Sequence, residues 1–428
     1  MPQKRVYGLG DPVLDIVVRV EDGLLTRLGA EPGGCVTVTS EQMAALLALP
    51  EVQAGMLRVP GGSAANVMKG LASLARLGGS AGGSCSNGGS NGSGSSDGAA
   101  GQPASMEVSF VGMIGGDDVG AEYERSIASH GVAPLLLRCA TPGAATATCL
   151  CLVTPDGQRT MRTCLEAALE LRQAEQLPEP LRGGGGGSGG NCPDAAQQQQ
   201  QQQQQPGGAD APGPWALLHC EGYCLYCAAV AASAMRAAHA AGALVSIDLA
   251  SFEVVANCWQ HLDALLQERL IDVVFCNEQE AVALCKAAAV ALPAGAPAGA
   301  AVAAAQDYLL SRGAHTAVVS RGSKGCSARA AGGGSAAAAA SAATVVDTIG
   351  AGDFFTAGFL YALLSGASLQ ACAASGCAAG TAAVQVAGAE LGEAVLQRLQ
   401  ASIDAVLAGD CAAAAAAGAA AGAARDTH

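Results

Sequence analysis

Gly350-Ala351-Gly352-Asp353 sets a carboxylate in the first turn of a helix whose apolar positions are Phe354, Phe355, Phe359, Leu360 and Leu363. A helix start offers unpaired N–H groups and the positive end of the macrodipole. Glycines on either side of Ala351 let the backbone approach an anion closely. Such amides suit the charge that spreads over a transferring phosphoryl group. A carboxylate in the same turn can take the proton from an attacking hydroxyl, an effect of roughly 10²–10⁴ in rate. Alone, Asp353 fits better as a carboxylate that merely complements a helix dipole, worth about 0.3–1 kcal/mol. The neighbouring elements must decide.

Those elements alternate. Val6 to Val20 reads as a strand, a turn at Gly10-Asp11-Pro12 and a second extended run. Ala64 to Leu77 spaces Val67, Leu71, Leu74 and Leu77 on one helical face. Val108 to Gly112 is a strand, Ala121 to His130 a helix, and Thr146 to Val153 the first arm of a hairpin turned at Pro155-Asp156-Gly157. Strands are expected at Ala216 to Cys220, Leu244 to Asp248, Val273 to Cys276 and Thr316 to Ser320, with a helix around Ala228 to Ala241. Strands alternating with helices imply right-handed crossovers and a mainly parallel sheet covered on both faces. Ligands in such sheets bind beyond the carboxyl ends of the strands. Asp248, Asn277 and Ser320 each follow a strand directly.

Much of the 428-residue chain is of low complexity. Residues 79–105 are Gly-Ser-rich, 183–213 run from polyglycine into polyglutamine, and 288–305 and 330–343 are Ala-rich. These segments, with an Ala-rich tail over 411–428, are expected to be loops or disorder because they bury little apolar surface. The net charge of −14 and the lack of a Lys/Arg cluster argue against a nucleic-acid surface. No run is rich enough in large apolar side chains to span a bilayer, so no membrane partner is expected. Strand character from Arg5 leaves no room for a transit peptide, and the 17 scattered cysteines read as reduced thiols. A cytoplasmic location is expected. Cys224-x-x-Cys227 has no second pair at zinc-site spacing, and no Walker lysine motif is present.

Asp347-Thr348-Ile349-Gly350-Ala351-Gly352-Asp353-Phe354-Phe355 resembles the C-terminal signature of the PfkB family, the ribokinase and adenosine kinase superfamily. Gly61-Gly62-Ser63-Ala64-Ala65-Asn66 resembles its N-terminal glycine motif, in the right order. Gly8 to Asp15, Gly116 to Gly120, Asn277-Glu278-Gln279-Glu280 and Ser320 to Gly325 are similar to further family elements. The wording near Ser246 to Glu253 and Arg159 to Cys164 looks most like plant and algal adenosine-kinase-like members. The likeness spans about residues 5–400.

The resemblance implies a Rossmann-like three-layer α/β sandwich of ribokinase type with a small β-sheet lid, formed by residues 1–410. The lid is expected from roughly 11–58 and 133–165. It implies an ATP-dependent kinase transferring the γ-phosphoryl group to a hydroxyl of a small sugar, polyol or nucleoside. Asp353 matches the base, and Gly350, Ala351 and Gly352 the anion hole. Arg159, following the hairpin turn, matches an arginine that reaches the phosphates. Asp15, Gly61, Gly62 and Asn66 match substrate-contacting positions. Asn277, Glu280, Ser320, Gly322 and Gly325 match the nucleotide side, with Glu280 organising Mg²⁺ through water. Asn277 followed three residues later by Glu280 is also a helix-capping pattern, and one residue can do both. Asp347 and Ile349 match a monovalent-cation site, K⁺ in kind. A monomer, or a homodimer through the lid, is implied.

One element departs from the family. Ribokinase-like members often carry Asp-x-Asn-x-Arg after a central strand, where this chain reads Asp248-Leu249-Ala250-Ser251-Phe252. That reduction, with the long insertions, supports an alternative: a catalytically inactive PfkB-fold protein that binds nucleotide or regulates. The intact glycine turn before Asp353 points the other way.

Overall fold

The structure is a computed structural model that describes residues 3–29, 34–81, 105–155, 159–182, 213–292 and 298–425. Its strands in chain order are β1 (Lys4–Leu9), β2 (Val13–Arg19), β3 (Cys35–Thr37), β4 (Leu57–Pro60), β5 (Met106–Ile114), β6 (Val132–Arg138) and β7 (Ala147–Val153). There follow β8 (Arg159–Cys164), β9 (Trp215–Glu221), β10 (Leu244–Asp248), β11 (Val273–Asn277), β12 (Thr316–Ser320), β13 (Cys326–Ala330) and β14 (Ser335–Ala338).

One sheet runs β14-β13-β12-β11-β10-β9-β1-β5-β6. From β12 to β6 every neighbouring pair is parallel, and β13 and β14 close one edge antiparallel. Its central strands are apolar on both faces because helices cover both. One face packs Leu218, Val245, Val274 and Ala317 under helices Ala228–Ala240, Phe252–Gln267, Glu278–Ala287 and Ala298–Arg312. The other packs Val6, Phe110, Phe275 and Val318 against helices Ser63–Ala81, Ala351–Leu364 and Leu369–Ala383. This is the α/β sandwich that the alternating pattern predicts.

A second, five-stranded sheet has the order β3-β8-β7-β2-β4 and its own core of Ile16, Val18, Leu150 and Leu152. Because β1 lies in the large sheet and β2 in the small one, the turn at Gly10-Asp11-Pro12 carries the chain between the sheets. The hairpin arms pair antiparallel from Thr148↔Cys164 to Val153↔Arg159, while residues 156–158 of its turn lie outside the described residues.

Several expectations are corrected. Residues 133–138, placed in the lid by the expected 133–165 boundary, belong instead to β6, which pairs with β5 as the edge of the large sheet. Within the Ala-rich stretch 288–305, helix Ala298–Arg312 begins and buries Ala301, Val302 and Ala305. Alanine has the highest helix propensity, and one apolar stripe suffices to dock it. Within 330–343, β14 takes its ladder from β13 and buries Ala336. The tail after 410 continues helix Glu393–Arg425 rather than fraying into coil, since propagating a helix through alanines is easy once a docked first half has nucleated it. The segments 82–104 and 183–212 lie outside the described residues.

Candidate active site

Helix Ala351–Leu364 starts from Gly350, which takes a left-handed φ of 73°. A Cβ there would stand 2.9 Å from the Ala389 Cβ, so glycine answers both the turn and the packing. Phe354 N–H is the first to close on the Gly350 carbonyl, at 2.9 Å. The amides of Gly352 and Asp353 thus stand at the positive helix end without intrahelical acceptors. Around Gly352 a Cβ would meet nothing within 4 Å, which leaves room for a ligand against the backbone.

Asp353 is held from the opposite helix. Ser63 Oγ donates to its Oδ1 and Asn66 Nδ2 to its Oδ2, both at 2.8 Å. Burial pushes the Asp353 carboxyl above its ordinary value, and those two donors with the charges of Arg159 and Lys69 pull it back. The Asn66 Oδ1 atom is buried with no hydrogen-bond partner among the described residues. An orphaned acceptor beside a carboxylate suits a hydroxylated ligand.

Asp15 lies on β2 and borders the same space. Burial raises its pKa to about 7, with Asp353 adding to the rise and Lys69 and Arg159 opposing it. Gly61 is what lets this carboxylate in, because a Cβ at that position would sit 2.1 Å from Asp15 Oδ2. Gly61 therefore makes room for Asp15 rather than facing the cavity itself.

At the other end, Asn277 caps helix Glu278–Ala287 in a full capping box with Glu280. Asn277 Oδ1 accepts from the Gln279 and Glu280 amides at 2.8 and 2.9 Å, and Asn277 Nδ2 donates to Glu280 Oε1 at 2.6 Å. Glu280 is buried, and burial followed by repulsion from Asp248 raises its pKa to about 8. Asp248 is raised to about 7 by burial and bound by Thr356 Oγ1 and the Ala250 amide, both at 3.1 Å. Ala250 itself has a left-handed φ of 64°, a strained conformation of the kind concentrated at functional sites. The Ser320 to Gly325 turn is fastened by Arg321 and Lys324, each 3.0 Å from Glu278.

These groups converge on one cavity of about 450 Å³, well within the range of small-molecule sites. Asp15, Gly62, Asn66, Arg159, Asn277, Glu280, Ser320, Gly322, Ile349, Gly350, Gly352 and Asp353 all line it. Gly61, Ala351, Gly325 and Asp347 do not. The buried Asp347 carboxylate instead joins two loops, accepting from the Ile349 amide at 2.9 Å and the Gly388 amide at 3.0 Å. Cys224, of the Cys-x-x-Cys pair, donates to the Leu9 carbonyl at 3.3 Å and belongs to no ligand cluster among the described residues.

Sequence reasoning missed Glu221. It ends β9 with its side chain buried, and it binds the Asp11 amide at 2.7 Å and the Ala64 amide at 2.8 Å. One carboxylate thus fixes both the crossing between the sheets and the start of helix Ser63–Ala81. It was readable by the rule that marked Asp248 and Asn277, since it too directly follows a buried strand. Lys69 was missed as well: it is buried, donates to the Pro60 carbonyl at 2.5 Å and stands 3.5 Å from Glu390. Neither contact leaves a trace at short sequence range.

Among the described residues lining the cavity, seven are carboxylic acids (Asp11, Asp15, Glu221, Asp248, Glu253, Glu280, Asp353), and Arg159 is the lone Lys or Arg. Asp15, Glu221, Asp248 and Glu280, raised first by burial and then by neighbouring carboxylates, are a hard-oxygen donor set short of positive charge. That composition fits a divalent cation on the Asp248–Glu280 side.

The pfkB family carbohydrate kinase model matches residues 49–181 and 190–394. A probable sugar kinase from Rhizobium etli is similar at 24% identity and a TM-score of 0.69, over 94% of this chain and 100% of that one. Adenosine kinase from Sinorhizobium meliloti is similar at 23% and 0.68, over 94% and 99%. Adenosine kinase from Schistosoma mansoni with 2-fluoroadenosine gives 17% and 0.68, over 91% and 97%. At such identities the likeness establishes the ribokinase-type fold. Among the described residues no helix is long and apolar enough to cross a membrane.

Proposed function

The chain belongs to the pfkB family of carbohydrate kinases, phosphotransferases that act on a hydroxyl group, and on that premise we propose that its cavity moves the γ-phosphoryl group of ATP to a hydroxyl of a sugar, polyol or nucleoside. The observation that carries this reading is the pairing of Asp353 with two free helix-start amides in one cavity. Asp353 takes the acceptor proton as its oxygen attacks. Ser63 and Asn66 hold the carboxylate in place through that step. The Gly350-Ala351-Gly352 turn receives the developing charge with its amides.

Bound Mg-ATP supplies the phosphoryl group, with the cation screening its oxygens. Glu280 and Asn277 are the residues that would hold the cation, through water, and the Ser320 to Gly325 turn borders the nucleotide side. Arg159, at the start of β8, adds positive charge where the phosphates meet the acceptor. The Asp347 to Ile349 segment is where K⁺ would sit. Asp15 and the orphaned Asn66 Oδ1 bind acceptor hydroxyls. The small sheet acts as a lid whose closure excludes water, so that the acceptor rather than water receives the phosphoryl group. The reaction would take place in the cytoplasm.

Incubating the purified protein with Mg-ATP and ribose, fructose, inositol, adenosine, inosine or cytidine tests the reading. A phosphorylated product from at least one acceptor is expected. ATP binding without turnover on any of them would instead support a nucleotide-binding protein without kinase activity.

A further inference from the structure

Two cysteine sulfurs and a carboxylate meet at the floor of the small sheet. Asp15 Oδ and the Sγ atoms of Cys149 and Cys151 all lie within 4.8 Å of one another. Asp15 sits on β2 and pairs directly with Cys149 on β7, so strand register brings the carboxylate and the thiol together. Cys149 and Cys151 share one face of β7, being two residues apart. Their sulfurs are 3.7 Å apart and unbonded. Same-face neighbours on a strand have Cα atoms about 6.8 Å apart, at the outer limit for a disulfide. A metal clip needs no such closeness. Zn–S bonds of about 2.3 Å in tetrahedral geometry give a sulfur–sulfur edge of about 3.8 Å, which the observed separation matches.

We propose that Asp15, Cys149 and Cys151 form a binding site for a thiophilic divalent cation, with Zn²⁺ as the reference ion. Asp15 and Cys149 line the cavity, which provides both an entry path and an open fourth position. Thr163 Oγ1 donates to Cys149 Sγ at 3.2 Å, an outer hydrogen bond of the kind that orients a metal thiolate. Two thiolates, one carboxylate and Zn²⁺ leave one net negative charge, which the nearby Arg159 guanidinium partly offsets. In the metal-free protein the Cys149 contact and burial hold the Cys151 thiol up and burial holds Asp15 up, so binding the ion displaces protons. Occupation takes Asp15 away from the acceptor, so the bound ion inhibits competitively with respect to that substrate. This consequence rests on the kinase reading; the binding itself does not.

The test is direct. The full chain is titrated with Cd²⁺ and Zn²⁺, without nucleotide or acceptor, following thiolate-to-metal charge-transfer absorption and metal stoichiometry after desalting. Wild type is expected to retain one equivalent that Cys149→Ser/Cys151→Ser lacks. Asp15→Asn should weaken that equivalent by roughly 10-fold or more while keeping the charge-transfer band. ATP binding and a cooperative thermal transition check that each variant is folded, and single Ser variants replace the double one if it is not. Retention of the same equivalent by the folded variants, or no retained metal in wild type, overturns the site. Metal binding without inhibition would remove the regulatory consequence, and binding in a protein that phosphorylates nothing would remove the kinase reading alone.

Discussion

Asn66 Nδ2 stands 2.8 Å from Asp353 Oδ2, linking the first glycine motif to the second across 287 residues of chain. Two helix starts that the sequence holds far apart are thereby one unit. Replacing Asn66 with Ala removes a hydrogen bond to a charged group, worth about 1.5–3 kcal/mol. It should lower kcat roughly 10- to 100-fold and raise the acceptor KM, because Oδ1 is lost as well. Ser63→Ala, which loses only the Oδ1 contact of Asp353, should lower kcat with little change in KM. Steady-state kinetics on the first acceptor found to react will separate the two.

Gly61 and Asp15 give a second prediction. Gly61→Ala drives a methyl group to within 2.1 Å of the Asp15 carboxylate unless one of them moves. Overpacking of this kind costs about 1–3 kcal/mol. The acceptor KM should rise roughly 10-fold or more while ATP affinity stays near wild type. Unchanged acceptor KM would mean that Asp15 does not contact the acceptor.

Glu221 serves stability and placement together. Glu221→Ala leaves the Asp11 and Ala64 amides without their acceptor, and each orphaned buried group costs about 1–3 kcal/mol. Thermal melting should fall by several degrees for the Ala variant and by less for Glu221→Gln, whose single amide oxygen keeps one of the two contacts while its NH2 faces the other amide. Equal melting temperatures for the two variants would contradict this role.

The raised carboxyls set a pH dependence. Asp15 and Asp248 are pushed up to about 7, Glu221 and Glu280 to about 8, mainly by burial. The folded state then holds more protons than the unfolded chain, so these groups' contribution is full below the unfolded range and is lost as pH rises through about 7 to 8. Without divalent cation, melting temperature should decline from pH 6 to pH 8.5. Lowered carboxyls such as Asp117 and Asp263 act at more acidic pH, outside this window. Glu280→Gln should flatten the decline, and so should added Mg²⁺ in wild type. A slope unaffected by either would argue against a cation at Glu280.

The strands and helices were legible wherever period and length agreed, as from Leu244 to Asp248 and Thr316 to Ser320, where observed and expected bounds coincide. The glycine turn was legible because its chemistry is local: Gly350 and Asp353 act within one helical turn. Lys69 and Thr356 were not, since their partners are Pro60 and Asp248, placed by the fold rather than by local pattern; Glu221 was readable as a strand-end carboxylate, but its partner Asp11 was not. The Ala-rich segments misled for a different reason. Low complexity reads as weak burial, yet in Ala298–Arg312 helix propensity and a narrow stripe through Val302 and Leu309 are enough to dock the element.

The most direct test of the account is Asp353→Asn, which keeps the shape and the Ser63 contact but removes the base. Turnover and ATP affinity are measured on the same preparation. The account predicts kcat lower by roughly 10²–10⁴ with ATP Kd within a few-fold of wild type. A variant that turns over at the wild-type rate would contradict it.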